Sequence, residues 1–213
     1  MNQKPVGFRS ASGVVLSRRI VGEGDLLLTL FLKGMGMTFA SAPGAAGGKV
    51  RFGGGTEPMV WGVFGLYQGK GEEGRKYLKS VDIADDMLKL RTSARALFMA
   101  VGWAKLLTRH LMEGHPADDL LANLYWNMKL LNEGEISAEV LEWRFIWRWL
   151  KSWGLAPELA EWADCAPWEL ELLRRTSGAK TPELKKLTAD VGKAGGALFA
   201  RAARRAEIFL KEI

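Results

Sequence analysis

The sequence predicts two modules of different class, a small β-barrel over residues 1–84 followed by an all-α domain over 85–213. Three uneven distributions carry that prediction. Residues 1–80 hold 11 Lys+Arg against 5 Asp+Glu, whereas residues 81–213 hold 19 of each. Of the 25 glycines, 17 precede residue 81. Tryptophan runs the other way, with Trp61 alone in the first part and eight after residue 100. A glycine-rich, basic stretch and a Trp-rich, Gly-poor one read as modules with separate cores.

In the first module each apolar run is short and bounded by Gly or Pro, the punctuation of strands. The runs are Gly13–Arg19, Leu26–Leu32, Met37–Ala42 after the Gly34-Met35-Gly36 turn, Met59–Tyr67 after Pro58, and the alternating Lys76–Ala84. None sustains a 3.6 period long enough for a helix. Five such strands in so short a span fit a five-stranded Greek-key OB-fold, with other small barrels or sandwiches as alternatives.

The second module reads as helices. Thr92 or Ser93 caps a helix from Ala94 to about Met112, and Pro116 suits the first turn of one running through Leu131. Ser137 caps a third helix containing Leu141–Trp153, which Gly154 ends with Pro157 beyond. Ala166-Pro167 and Thr181-Pro182-Glu183 mark two more starts, and Ala197–Ile213 closes the chain as an amphipathic helix. Charge is uneven within this module too: residues 81–173 carry a net −6 and residues 174–213 a net +6.

Composition narrows the class of protein. With 48% hydrophobic and 25% charged residues the chain matches a globular average. No apolar run approaches the roughly 20 residues of a membrane span, and the N-terminus lacks the apolar core of a signal peptide. A single cysteine, Cys165, agrees with a reducing compartment. The expected location is therefore cytoplasmic.

Catalytic chemistry is hard to place. His110 and His115 are the only histidines and lack metal-site spacing, and one cysteine cannot make a CxxC pair. The glycine-rich Gly44–Gly55 is no P-loop, because Val50 follows Lys49 where the magnesium-binding hydroxyl would be needed. Asp85, Asp86, Asp118 and Asp119 sit beside helix starts, where they complement the dipole. The chain is expected to be no enzyme and to need no cofactor or metal.

A binding surface remains. Arg18, Arg19, Lys33, Lys49, Arg51, Lys70, Arg75, Lys76 and Lys79 are candidate DNA-binding residues, since phosphate binding requires cations along a groove. Phe8, Phe39, Phe52, Trp61, Tyr67 and Tyr77 could add stacking platforms, although Trp61 and Phe39 read first as core. In the Trp-rich helix, Trp143/Trp147/Leu150 and Ile146/Trp149/Trp153 occupy two faces, so the helix should be buried on most sides. Arg144, Arg148 and Lys151 form a basic stripe, either a solvated face or a dock for an acidic peptide. Arg201, Arg204 and Arg205 are a weaker candidate for phosphate contact.

The ordered set of features resembles the RecO family of bacterial recombination mediators. Its carriers are Gly13-Val14-Val15-Leu16 through Arg18-Arg19, Gly22-Glu23-Gly24-Asp25-Leu26-Leu27-Leu28-Thr29-Leu30-Phe31, the turn at Gly36, and the basic loop Gly44–Arg51. Further carriers are Gly54-Gly55-Thr56-Glu57-Pro58, Leu90-Arg91-Thr92 before a long helix, and Leu150 with Gly154-Leu155-Ala156-Pro157-Glu158-Leu159. The resemblance covers residues 13–110 well, is patchier to 160, and weak beyond. It implies an OB-fold on a helical domain and a non-enzymatic role in DNA repair, with nucleoid association. It also implies binding of single- and double-stranded DNA, strand annealing, and recombinase loading with RecR onto strands coated by single-strand-binding protein, whose acidic C-terminal tail meets the helical domain. Two departures stand out. Many members carry a four-cysteine zinc site where this chain has Cys165 alone, and the family loop often has paired arginines where this chain has Ala45-Ala46. The alternative is a protein-interaction adaptor whose barrel binds no nucleic acid.

Overall fold

The structure is a computed structural model that describes residues 7–47, 51–69, 75–159, 162 and 164–210. Five strands come first: β1 Gly7–Val21, β2 Asp25–Leu32, β3 Gly36–Ala42, β4 Trp61–Gln68 and β5 Lys76–Asp85. A 3-10 turn at Leu88–Thr92 leads into α1 Ala94–His110, α2 Asp118–Glu133, α3 Ala138–Ser152, α4 Pro167–Gly178 and α5 Thr181–Leu210. The chain divides into two compact units, one of residues 1–88 with 100–121 and one of 89–99 with 122–213.

In the first unit the sheet is mixed and closes as a barrel in the order β1-β2-β3-β5-β4. All pairs are antiparallel except β3 with β5. Closure depends on β1, which is longer than the apolar run Gly13–Arg19 foretold. Residues 7–14 pair with β4 and residues 13–21 with β2. The early part, Phe8-Arg9-Ser10-Ala11-Ser12, is polar and mostly exposed, so alternation alone does not mark it as strand. A bulge between Val15 and Ser17 lets one strand serve both neighbours. Inside, Val15, Leu28, Leu30, Leu32, Phe64 and Leu78 form the core. Trp61 belongs to the buried set, whereas Phe39 is exposed. Residues 113–115 lie against β3, with the Gly114 amide donating to the Met37 carbonyl at 2.9 Å. Gly36 is required there: its φ is +68°, and a Cβ would collide with the His115 carbonyl.

In the second unit, Ser137 caps α3, its Oγ accepting from the Val140 amide. Trp143, Trp147, Trp149 and Leu150 are buried, and Trp143, Trp147 and Trp162 pack ring against ring at 4.7–6.1 Å between centroids. The Ala166 start of α4 carries the Glu169 carboxylate on its amide at 2.8 Å. Two expectations change. Pro116 lies two residues ahead of α2 rather than in its first turn. The starts read at Thr181 and Ala197 belong to one 30-residue helix, because burial of Leu184, Leu198, Phe199, Ala203 and Leu210 holds it together across Gly192, Gly195 and Gly196.

Candidate nucleic-acid interface

Side chains alternate across a strand, so paired residues on neighbouring strands share a face. The register of β1 with β4 pairs Phe8 with Tyr67, and that of β4 with β5 pairs Tyr67 with Tyr77. Three aromatics therefore stand in a row on the outside of the barrel. Phe8 is 59% and Tyr67 41% exposed. Gly65 makes room for the row, since a Cβ there would sit 2.7 Å from Phe8 Cζ. Lys79, on the same side of β5, holds its Nζ 5.6 Å from the Tyr67 ring centroid and 6.0 Å from that of Tyr77. Each such cation–π contact is worth about 0.5–1 kcal/mol at an exposed site. The arrangement offers flat apolar faces beside a cation, which is what stacking of bases along a phosphate backbone requires.

The other expected cations are dispersed over the barrel rather than gathered beside this row, with Arg18 and Arg19 at the far end of β1 from Phe8. Arg18 and Arg19 are consecutive on β1 and so point to opposite faces. Arg18 pairs with Glu57 at 2.7 Å, an exposed ion pair of small energy, and Arg19 is exposed. Lys33 projects from the β2–β3 turn and Arg75 precedes β5, both exposed. Arg51 donates Nη1 to the Pro43 carbonyl at 2.6 Å and lies 5.2 Å from the Phe52 ring centroid. Lys76 turns to the inside of the barrel end, where its Nζ is 3.4 Å from Glu113 Oε1. Lys49 and Lys70 lie outside the described residues.

The stripe Arg144/Arg148/Lys151 is divided in use. Arg144 is buried and donates Nη1 to the carbonyls of Thr176 at 3.2 Å and Ala179 at 2.6 Å. Arg148 donates Nε to the Ser177 carbonyl at 2.7 Å and Nη2 to that of Gly178 at 3.4 Å. These are the last carbonyls of α4, which lack intrahelical partners and carry the negative end of the helix dipole. Burial, and next to it the charge of Arg148, pull the Arg144 guanidinium down to about 10, still protonated at neutral pH. Burial also lowers Arg148. Lys151 alone of the three is exposed. Arg205 packs over the Trp162 ring and pairs with Asp164, and Arg201 pairs with Glu169.

Asp85 and Asp86 accept from the amides of Met87 and Leu88 at the 3-10 turn. Asp118 accepts from the Gly34 amide at 2.8 Å. Among the described residues no group of His, Cys, Asp and Glu is placed to hold a metal ion, and no helix is long and apolar enough to cross a membrane. Sequence reasoning passed over Arg9, which stays exposed and lines the barrel end from the unmarked early part of β1.

No family model matches the chain. It is similar to curated proteins named DNA repair protein RecO. That of Acetivibrio thermocellus is 25% identical over 160 residues, 75% of this chain and 62% of that protein. That of Exiguobacterium sp. is 27% identical over 158 residues, 74% and 62%. That of Gloeobacter violaceus is 28% identical over 153 residues, 70% and 56%. The chain spans about three-fifths of the length of the curated relatives it matches.

Proposed function

We propose that this chain is a RecO-type DNA repair protein whose barrel is an OB-fold that binds DNA on its outer face without catalysis. The observation that carries the reading is the row Phe8–Tyr67–Tyr77 with Lys79 beside it. Oligonucleotide-binding folds use the connection between their fourth and fifth strands, and Tyr67 and Tyr77 flank that connection here. The similarity to RecO proteins supports the same reading from an independent side. On this proposal bases stack on the tyrosines, while Arg18, Arg19, Lys33, Lys49, Arg51, Lys70, Arg75 and Lys79 neutralise phosphates and Lys76 serves the barrel end. Residues 1–84 form the DNA-binding domain and residues 85–213 the partner domain. The finer roles follow as proposals: annealing of strands, and loading of recombinase with RecR on strands coated by single-strand-binding protein. A cytoplasmic location at the nucleoid belongs to the same reading. Any dock for that protein's acidic tail would use Lys151 rather than the donors that Arg144 and Arg148 place on α4.

The test is a titration of labelled single-stranded DNA across salt concentrations. If four cations contact phosphate, log affinity should fall against log salt with a slope of about −3. Replacing Arg18, Arg19, Lys49 and Arg51 together by Ala should flatten that slope with helicity intact. Binding that is absent or independent of salt would overturn the proposal in favour of the protein-interaction adaptor.

A further inference from the structure

We propose that the barrel end beside the β4–β5 connection is a pocket for a phosphate monoester. A cavity of about 220 Å³ opens there, lined by Arg9, Met35, Thr38, Leu66, Gln68 and Lys76 among others. The barrel interior is otherwise apolar, and the change of character follows the strands. Inward positions on β3 run from Ala42 and Ala40 to Thr38, those on β4 from Phe64 and Leu66 to Gln68, and those on β5 from Leu78 to Lys76. These three files of inward side chains turn polar at the same end.

Polar groups at inward positions are costly unless something pairs them. Thr38 is 1% exposed, and its Oγ1 has no hydrogen-bond partner among the described residues. The Lys76 side chain is 13% exposed, and Glu113 Oε1 at 3.4 Å stands at the long limit of hydrogen bonding. The mouth thus gathers a guanidinium, an ammonium, a hydroxyl and an amide, and every one of them can donate. A phosphate monoester offers three acceptor oxygens and up to two charges, the complement of that set. A carboxylate would bring only one charge to the two cations, and a bare base would leave them facing the single charge of Glu113. At ~30 Å³ per water the cavity holds roughly seven water volumes, room for a phosphoryl group and part of the sugar that carries it.

Two sources share this chemistry: the phosphorylated end of a DNA strand and free phosphate. The first rests on the DNA-binding reading above; the second does not. The experiment measures binding of the full chain to oligonucleotides with a 5′-phosphate, a 3′-phosphate or hydroxyl ends, and follows inorganic phosphate by amide shifts around Thr38. One phosphorylated end should bind about tenfold tighter than the hydroxyl end, the effect of one or two charge-assisted hydrogen bonds. Inorganic phosphate should compete away that increment. Thr38→Val and Arg9→Gln, with folding checked by circular dichroism, should abolish the increment and leave hydroxyl-ended strands bound as before. Amide shifts with inorganic phosphate but no discrimination between ends would assign the pocket to free phosphate. If the three oligonucleotides bind alike and phosphate moves no amide near Thr38, the pocket is overturned while DNA binding stands. If phosphate shifts those amides and no oligonucleotide binds, the pocket survives and the DNA reading fails. Displacement of phosphate by an acidic peptide at lower concentration than phosphate itself needs would overturn the choice of ligand.

Discussion

On the barrel, Arg19, Lys33 and Arg75 are exposed and Lys79 lies beside the Tyr67 and Tyr77 rings. In the helical unit, Arg144 and Arg148 are withdrawn from solvent and bonded to the last carbonyls of α4. The residue type is shared and the work is opposite. A cation on a half-exposed strand keeps its charge available to a ligand. One on the inner side of a packed helix spends its donors on backbone groups that would otherwise be buried unpaired. Net charge in a sequence therefore overstates the binding surface wherever helices end inside the protein.

The contrast predicts different consequences of mutation, the largest in the helical unit. Arg144→Ala leaves the Thr176 and Ala179 carbonyls without their donor and removes buried side-chain packing. It should cost about 3 kcal/mol and lower the melting temperature of that unit by about 10 °C. Calorimetry reads the loss, and DNA affinity measured well below the transition should not change. Tyr67→Ala should do the reverse, weakening single-strand binding roughly tenfold at unchanged melting temperature, since a stacked base is worth about 1–3 kcal/mol. Tyr67→Phe keeps the ring face and should bind like the parent. If Tyr67→Ala melts the barrel instead, the aromatic row is structural and the contrast collapses.

A smaller effect sharpens the comparison inside the barrel. Thr38→Val replaces an unpartnered buried hydroxyl by a methyl and should raise barrel stability by about 1 kcal/mol, so the polar mouth is kept at a cost to the fold. The smallest effect concerns Glu142, whose carboxyl is raised by burial and then by Glu207, against the opposing pull of Arg204. A carboxyl raised in the folded state holds its proton where the unfolded chain has lost it. Its contribution is full below the ordinary carboxylate range and fades as pH rises through the raised value. Glu142→Gln should therefore raise stability at neutral pH and flatten its fall above the carboxylate range, read from denaturant midpoints across pH.

Much of the fold was legible. Strand runs bounded by Gly and Pro placed β2, β3 and β5 to within about a residue, and Ser137, Ala166-Pro167 and Thr181 marked the starts of α3, α4 and α5. The early part of β1 was not legible, because its polar residues show no alternation and are strand only by pairing with β4. At the candidate site, Tyr67, Tyr77 and Lys79 could be named from composition, but their meeting on one face depends on the register of three strands. Lys76 was grouped with Lys79, yet three residues along a strand of period two set them on opposite sides.

The sequence by itself determined the two classes of module, the order of the elements and the reserve of cations, because periodicity, punctuation and charge are local properties of a chain. Which cations remain available was decided only by the tertiary structure. Arg144 looks like any arginine of an amphipathic helix until the carbonyls of α4, more than thirty residues away, come to rest against it. Lys76 looks like a surface charge until the barrel closes and turns it inward beside Thr38, with the exposed Arg9 at the rim. Partners of that kind are set by long-range packing, and no local pattern encodes them.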